Sequence, residues 1–427
     1  MKNKIGWKTA AALVISNMIG TGVFTSLGFQ LVDIQNTWSI VLIWSIGGVL
    51  ALIGAFTYAE LGTNFKESGG DYIFLSRLFH PFLGYLYAWV SLTVGFTAPI
   101  AISVMAMKSY LQPVYPQIFN DWFGIGLIIF LTAIHSVSVG QSGKFQNLST
   151  LIKIGFVLTM IILGFYFLPY SEAAINLDST WKSEIFLPGF AVSLLYVTYA
   201  YTGWNSAAYI VGEIDDPKRN LPKALLIGTL LVTVLYILLQ IVFLKHASVD
   251  QMVGKVEIAS ISFSNLFGSS GATWVGAFIA IQLIATISGY LWIGSRITYA
   301  MAKEHAIWKP IAVQNKNGIP VRALWLQAAI SIVLTLTGSF DEVMLYASFV
   351  LQLMGTLTVA SVFWLKAKKN SFKSPLKPFI QIVFIVFSIW ALGYMLVERP
   401  KESMIGLLFV LVGGITYFIP NIFKNKS

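Results

Sequence analysis

An all-α membrane protein with twelve transmembrane helices is the fold class that this sequence predicts, on three observations. Only 11% of the residues are charged, whereas a soluble domain carries about 25%. The apolar residues come in long runs, and no charge interrupts the stretch between Lys223 and Lys245, which is long enough for the ~20 residues that a helix needs to cross a bilayer. The basic residues are also divided unevenly between alternate connections, as in a polytopic membrane protein.

Polar breaks between charge-poor runs delimit the twelve predicted spans. The first span follows a basic segment, Met1–Lys8, and no small-residue cleavage site comes after it. We therefore expect a retained span and no cleaved signal peptide, and one transmembrane domain over residues 1–427. The predicted boundaries are residues 8–32, 38–62, 82–111, 122–140, 147–169, 188–211, 222–245, 271–301, 323–338, 342–366, 376–397 and 402–420.

The distribution of positive charge predicts the orientation. If the N-terminus is cytoplasmic, most of the 28 Lys and Arg residues lie inside, as the positive-inside rule requires. The net charge of +10 then reflects membrane topology, and nucleic-acid binding is not needed to explain it. We expect a multi-pass protein of the cell inner membrane, with both termini cytoplasmic and the basic run 366–377 as an orientation signal. The exceptions are Lys108, Lys182, Lys245, Lys255, Arg399 and Lys401, predicted outside, and Lys153 and Arg296, predicted within spans.

Glycines interrupt two of the spans at corresponding places. Span 1 contains SNMIGTGVF, Ser16–Phe24, and span 6 contains YAYTGWN, Tyr199–Asn205. Each interrupted span opens a block of five, and paired broken helices in two halves are typical of inverted-repeat transporters. The repeats would cover residues 8–169 and 188–366, with two additional helices over 376–420. A single glycine would be explained better by close helix packing, whereas two breaks at matched places favour a binding site.

A break in a membrane helix exposes backbone groups that need partners, because an unpaired polar group in hydrocarbon costs several kcal/mol. An amino acid is a suitable partner. Its carboxylate matches the amide N–H groups of Gly20, Thr21 and Gly22 at the start of a half-helix, and its ammonium matches carbonyls freed around Gly203. Neither break contains a charged side chain.

Four motifs give the chain a family resemblance. It resembles the amino acid–polyamine–organocation superfamily, and most closely the L-type amino acid transporter light subunits and their bacterial relatives. The resemblance runs in order from about residue 6 to residue 420. The motifs are IGTGVF at Ile19–Phe24, SGGDYIFLSRLFHPFLGYLYAW at Ser68–Trp89, YAYTGWNSAAYIVGEIDDPKRNLPKAL at Tyr199–Leu225 and SRITYAMA at Ser295–Ala302.

The resemblance implies a LeuT-type five-plus-five inverted repeat, alternating access and an amino acid cargo, with no catalytic residue, cofactor or metal. It implies that Tyr199 and Trp204 close over the substrate, although packing is an equal alternative for either aromatic residue alone. The substrate-binding residues that it implies are Ile19, Gly20, Thr21, Gly22, Tyr199, Ala200, Tyr201, Thr202, Gly203 and Asn205.

The chain departs from the family pattern at three positions of the two breaks. Thr21 replaces a serine, Thr202 replaces a glycine beside the substrate, and Tyr199 replaces a gating phenylalanine. Thr202 should narrow the pocket, so we expect small neutral cargo. The light subunits of the family bond a heavy chain through a cysteine, and since this chain has no cysteine, we expect no disulfide-linked heavy subunit.

Lys153 lies within predicted span 5, where an ammonium group is costly and usually functional. It could snorkel to the cytoplasmic interface, about 9 Å away at 1.5 Å per residue. The resemblance favours another role, in which a lysine occupies the sodium site of sodium-independent members. It would then bond carbonyls near Ile19 and Gly20 and the hydroxyl of Ser288. The coupling mode, proton symport or exchange, stays open.

Other charged residues leave few alternatives to transport. Glu60 and Arg296 lie near the cytoplasmic side, and we expect structural ion pairing for both. The four histidines share no spacing that suggests a metal or catalytic site, so a polytopic membrane enzyme is a remote alternative. A cationic amino acid or polyamine is the more serious alternative cargo, but it should require a carboxylate within spans 3, 6, 8 or 10, and their interiors have none.

Overall fold

Helices form the folded parts of the chain, as the sequence predicts. The computed structural model describes residues 4–65, 67–113, 115–137, 143–170 and 172–424. Within these ranges the extended pairing is a single isolated bridge, in which Ile5 lies beside Ile214. The α-helices are α1 Trp7–Met18, α2 Gly22–Thr25, α3 Leu27–Gln30, α4 Thr37–Asn64, α5 Asp71–Leu78, α6 Pro81–Val90, α7 Thr97–Leu111, α8 Asp121–Val137, α9 Gly143–Tyr166, α10 Trp181–Glu184, α11 Pro188–Ala200, α12 Pro217–His246, α13 Val249–Met252, α14 Ile258–Glu304, α15 Val321–Thr337, α16 Phe340–Ser361, α17 Phe379–Glu398 and α18 Pro400–Lys424.

Many of these helices are apolar enough for a bilayer. In the described part of the chain, seven helical stretches are also long enough to cross it, and four shorter apolar helices accompany them. Together with α1 they lie at the positions of the twelve predicted spans, and the protein is a multi-pass membrane protein. The seven are Thr37–Asn64, Pro81–Leu111, Pro217–His246, Ile258–Glu304, Phe340–Trp364, Phe379–Glu398 and Pro400–Ile419; the four are Trp122–Val137, Thr150–Tyr166, Pro188–Ala200 and Val321–Thr337.

Local sequence signals fix where several helices start. The Asn36 side chain accepts a hydrogen bond from the Trp38 amide and caps α4. Ser339 and Glu342 form a reciprocal capping box at the start of α16, which pairs two of the amide groups that a helix start leaves free. Pro217 lies in the first turn of α12, a position where the missing N–H costs nothing.

Two elements differ clearly from the predicted boundaries. Predicted span 8 began at residue 271, but α14 already starts at Ile258 and bends at Gly268, whose φ of +67° suits a residue without Cβ. Predicted span 6 ran to residue 211, but α11 stops at Ala200, and a 3₁₀ segment, Ser206–Glu213, follows a turn. The last part of predicted span 4, residues 138–140, lies outside the described residues.

The two interrupted spans pack in the middle of the bundle. Helix α12 lies along both α1 and α4, and α11 packs against α4, α16 and α17. A buried aromatic group joins these elements, in which the Trp44, Tyr201 and Tyr236 rings lie 5.1–5.9 Å apart. The Trp44 indole donates to the Gln30 side chain at 3.0 Å, so α3 is tied to the same group. This packing joins the helices on either side of the two breaks.

Candidate functional site

Span 1 is broken where the sequence predicts. Helix α1 ends at Met18, Ile19 adopts an extended backbone with φ −72° and ψ 90°, and the chain turns helical again at Gly22. A Cβ atom added to Gly22 would lie 2.5 Å from the Cα atom of Ala200, whereas one added to Gly20 would have its nearest neighbour at 3.9 Å. Gly22 is therefore the glycine that the close approach to span 6 requires.

The break in span 6 is the counterpart of this contact. Gly203 has a φ of +102°, and a Cβ atom there would lie 2.7 Å from the carbonyl carbon and oxygen of Asn17. Gly203 thus needs to be glycine for both its backbone conformation and its space. The two breaks touch at Gly22 against Ala200 and at Gly203 against Asn17, so the structure brings the two predicted motifs together.

Backbone groups are left unpaired on both sides of this contact. Among the described residues, no acceptor pairs with the amide N–H groups of Gly20, Thr21 and Gly22, and no donor pairs with the carbonyls of Tyr201 and Thr202. Buried backbone groups are rarely without partners. The arrangement can therefore receive a ligand with an acceptor at one end and a donor at the other.

Lys153 supplies partners for other carbonyls of span 1. Its ammonium group, on a side chain only 3% exposed, donates to the carbonyls of Ser16 at 3.0 Å and Ile19 at 2.9 Å. A third, longer bond reaches the Thr286 hydroxyl at 3.4 Å. The predicted approach to the carbonyl of Ile19 is present, and Lys153 does not extend towards the interface.

Ser288 does not take the predicted place beside Lys153. Its hydroxyl hydrogen-bonds the His135 ring at 2.7 Å instead, and Thr286 stands next to the ammonium. Two residues along an α-helix are about 200° apart around its axis, so the two hydroxyls of α14 point to opposite neighbours. The correct choice depended on the rotation of α14, which sequence spacing alone does not provide.

A cavity of about 840 Å³ opens beside the break in span 6. Predicted site residues of span 6 line it, but the wall from span 1 is formed by Asn17, Leu13 and Thr9. The cavity continues to Ile5 and Glu213, at the end of the molecule predicted to be cytoplasmic. The predicted residues in its wall are Tyr199, Tyr201, Thr202, Gly203, Trp204 and Asn205; Ile19, Gly20, Thr21, Gly22 and Ala200 are not among the residues that line it.

The two predicted gate residues differ in their surroundings. Tyr199 is 4% exposed and touches the cavity at the end of α11. Trp204 packs edge-on against Tyr58, with ring centroids 4.7 Å apart, and covers Gly54, where a Cβ atom would meet its ring at 2.5 Å. Both residues line the cavity, and their role as a gate stays a prediction.

Asp71 is a charged group of the cavity wall that no sequence motif predicted. It is the first residue of α5, is 1% exposed and lines the cavity. Tyr58 and Tyr209 donate hydroxyl hydrogen bonds to it, the latter at 2.6 Å. Burial raises the pKa of its carboxyl above the usual value, and these hydroxyl bonds oppose the shift. Gly69 and Gly70 precede it and have φ values of +141° and +54°, so the chain turns sharply there. Two adjacent glycines in a sequence indicate such a turn, but they do not indicate that the next carboxylate is buried.

The two expected ion pairs have different outcomes. The Glu60 carboxylate accepts from the Lys377 ammonium at 2.9 Å, so ion pairing is confirmed there. The expectation for Arg296 is wrong within the described residues, since no carboxylate pairs with it. Its guanidinium instead donates to the Trp292 carbonyl at 2.7 Å and stacks 4.2 Å from the Trp292 ring, facing the cavity.

Two helix breaks that touch each other beside a cavity, in a multi-pass membrane protein, are typical of secondary transporters. The sequence profile of the family described as "Amino acid permease" matches residues 5–419. The chain belongs to this family.

Curated relatives match nearly the whole chain. It is similar to the b(0,+)-type amino acid transporter 1 of Mus musculus, with 28% identity over 431 residues, covering 98% of this chain and 88% of the relative. The large neutral amino acids transporter small subunit 2 of Oryctolagus cuniculus is 27% identical over 450 residues, covering 100% and 82%. The Asc-type amino acid transporter 1 of Mus musculus is 26% identical over 445 residues, covering 100% and 82%. These matches confirm the family resemblance and the expectation of a transporter that is not an enzyme.

Proposed function

We propose that this protein is a sodium-independent secondary transporter of small neutral amino acids that works by alternating access, as a proton symporter or an amino-acid exchanger. Its membership of the amino acid permease family supports the cargo class. The twelve helices would cross the cell inner membrane with both termini cytoplasmic, in a LeuT-type arrangement. One repeat would cover residues 8–169, the second 188–366, and two helices over 376–420 would lie outside the repeats.

The substrate would lie at the contact between the two breaks. Its carboxylate would accept from the free amide groups of Gly20, Thr21 and Gly22, and its ammonium would donate to the free carbonyls of Tyr201 and Thr202. Thr202 lines the cavity, and its hydroxyl donates to the Tyr199 carbonyl at 2.7 Å, which keeps its side chain in place. This position supports a preference for small side chains.

The observation that carries the sodium-independent part of the proposal is the bonding of Lys153. A bound cation in a sodium site is held by carbonyl oxygens of an unwound helix. Here a protein ammonium already donates to two such carbonyls, of Ser16 and Ile19. We infer that this charge replaces an external cation in stabilising the broken helix.

The cavity supports an inward-facing state. It reaches the break in span 6 from the end of the molecule where Ile5 and Glu213 lie, and the positive-inside rule places that end in the cytoplasm. In this state the substrate would leave past Trp204 and Tyr199 towards the cytoplasm.

Uptake of radiolabelled alanine into proteoliposomes tests the proposal. We expect uptake to persist when sodium is replaced by choline, and unlabelled alanine, serine and glycine to compete better than leucine or phenylalanine. A pH gradient that drives accumulation would assign symport, whereas a requirement for amino acid inside the vesicles would assign exchange. A strict sodium requirement would refute the role of Lys153.

Cationic cargo is a second candidate, because Asp71 places a carboxylate in the wall of the cavity. The same competition assay should therefore include lysine, ornithine and putrescine. Competition by these compounds stronger than by alanine would favour the second candidate over neutral cargo.

A further inference from the structure

The carboxylate of Asp71 has an unusual set of neighbours. Its side chain accepts hydrogen bonds from the Tyr58 hydroxyl, from the Tyr209 hydroxyl at 2.6 Å and from the Asn205 amide nitrogen at 3.4 Å. The Tyr87 hydroxyl adds a second layer through its bond to the Tyr209 hydroxyl. All five residues line the cavity, so the group belongs to the cavity wall and not to the closed core.

The direction of these hydrogen bonds is the one expected around an ionised carboxylate. The Asn205 amide nitrogen can only donate, and it reaches both Asp71 and the Tyr209 oxygen. The Tyr209 proton is then free to point at Asp71. One consistent pattern results, in which every neighbour donates and Asp71 only accepts, as an ionised carboxylate does.

No positive charge balances this carboxylate among the described residues. The ion pairs there join Arg77 to Glu67, Lys377 to Glu60, Arg399 to Asp341 and Lys401 to Glu342. The Tyr87 and Thr358 hydroxyls also lie within hydrogen-bonding reach of the carboxylate, but every one of these donors is neutral. A buried charge usually has a partner of opposite sign.

We propose that Asp71 and the rings of Tyr58, Tyr87 and Tyr209 form a subsite for a primary ammonium group, on the path between the helix breaks and the cytoplasmic end of the cavity. The carboxylate would accept a charge-assisted hydrogen bond from the ammonium group. Asn205 belongs to both places, since it follows the break in span 6 and also donates to Asp71. It therefore links the substrate position to the subsite.

The ammonium group can come from two sources, the α-amino group of any amino acid or the side chain of a cationic one. Three probes separate them. Alaninamide carries only an α-ammonium group, Nα-acetyl-lysine only a side-chain ammonium, and N-acetyl-alaninamide neither. N-acetyl-alaninamide should not bind at Asp71. Binding of alaninamide would identify the α-amino group as the source of the ammonium, and binding of Nα-acetyl-lysine would identify the cationic side chain.

The test is thermal denaturation of the full protein in lipid nanodiscs with each probe, compared with equal concentrations of sodium chloride. A ligand of the folded state raises the melting temperature. A fourth compound, n-butylammonium, carries a primary ammonium group and no amide or carboxylate. We expect n-butylammonium and at least one of alaninamide and Nα-acetyl-lysine to stabilise the parent protein. D71N should require about tenfold more probe for the same shift, the size of one charge-assisted contact, and Y209F should lie between them.

The matched control is D250N, which makes the same change at an exposed aspartate in the first turn of the short helix α13. Equal stabilisation of the parent and D71N by n-butylammonium, or equal stabilisation of the parent by sodium, would overturn the proposal. If D71N does not fold, Y209F and an Asp71→Glu variant provide the comparison.

The subsite rests on the proposed function only for its role in transport, and denaturation detects binding without any transport. If the parent transports no amino acid but n-butylammonium still stabilises it through Asp71, the proposed function fails and the subsite stands. If alanine uptake is robust but no ammonium probe binds, the subsite fails and the proposed function stands.

Discussion

The two helix breaks share a glycine pattern but differ in how their backbone groups are satisfied. Around the break in span 1, side chains from other helices supply donors: Lys153 bonds Ser16 and Ile19, and the Tyr236 hydroxyl bonds the Met18 carbonyl at 2.5 Å. Around the break in span 6, the carbonyls of Tyr201 and Thr202 have no donor within the described residues and lie beside the cavity.

This difference shows that a broken helix does not by itself define a binding site. Since an unpaired backbone group in a membrane costs several kcal/mol, each break must be completed by something. The protein completes the carbonyls of span 1 with its own ammonium group, and it leaves those of span 6 open to whatever enters the cavity. Lys153 is therefore a fixed support for the carbonyls of the first break, whereas the amide groups of the first break and the carbonyls of the second are where a ligand can contribute.

Removal of the support should have the largest effect. Lys153→Ala leaves the carbonyls of Ser16 and Ile19 unpaired, at about 1–3 kcal/mol each. We expect transport to fall at least about tenfold and the melting temperature to drop, with no gain of sodium dependence. Uptake and thermal denaturation measure both effects.

Lys245→Ala is the matched control. Lys245 also donates to three backbone carbonyls, at 3.1, 3.2 and 2.6 Å, but it lies at the end of α12, where water can replace it. If the Lys153→Ala and Lys245→Ala variants transported equally well, Lys153 would not have the supporting role proposed for it.

The contact between the breaks should be nearly as sensitive. Gly22→Ala places a Cβ atom 2.5 Å from the Cα atom of Ala200, so the breaks must separate, and we expect alanine binding to weaken about tenfold or more. Gly20→Ala is the matched control, because its nearest new neighbour is 3.9 Å away. Direct binding to purified protein gives the comparison, and equal affinities in the two variants would exclude the proposed contact.

A smaller effect on selectivity is expected at Thr202. Thr202→Gly removes side-chain volume beside the cavity, and a methylene-sized difference changes discrimination by about 10–200-fold. Leucine should gain on alanine in competition assays with this variant. Thr198→Ala, on the same wall one turn earlier, should leave the ratio unchanged. The hypothesis fails if the parent protein already prefers leucine.

The smallest effect should follow the loss of one neutral donor. Tyr236→Phe removes a single hydroxyl bond to the Met18 carbonyl, which is worth about 0.5–1.5 kcal/mol. We expect a modest drop in melting temperature and transport well above that of Lys153→Ala. Tyr110→Phe, which removes a hydroxyl bond to Phe24 beyond the break, is the comparison. If Tyr236→Phe lowered transport and melting temperature as much as Lys153→Ala does, the positive charge of Lys153 would not explain its importance.

The sequence was sufficient for the features that depend on local pattern. Long apolar runs located the helices, and glycines located both breaks, because each is a property of a short segment. Lys153 and its bond to the Ile19 carbonyl followed from a family resemblance combined with the cost of a charge at that depth.

Features that depend on how helices rotate and pack were not accessible in the same way. Thr286 in place of Ser288 follows from the rotation of α14. The burial of Asp71 follows from contacts with three tyrosines that are distant in sequence, and a carboxylate sought only inside the spans was missed because it lies on the connection between α4 and α6. The exact wall of the cavity likewise depends on which side of α1 faces span 6.

The basic connection after α16 has a consequence for experimental design. Its polar composition makes it look like a free loop, yet Lys368 and Phe372 donate to Asn64 and Thr63 at the end of α4, and Ser374 and Lys377 donate to the buried carboxylate of Glu60. Fluorescent labels or fusion partners inserted there would pull on α4 itself. The segment after α10, with its exposed Phe186, is no freer, because Glu184 accepts from the amides that precede α4. Reporters of the transport cycle are therefore better kept out of both connections.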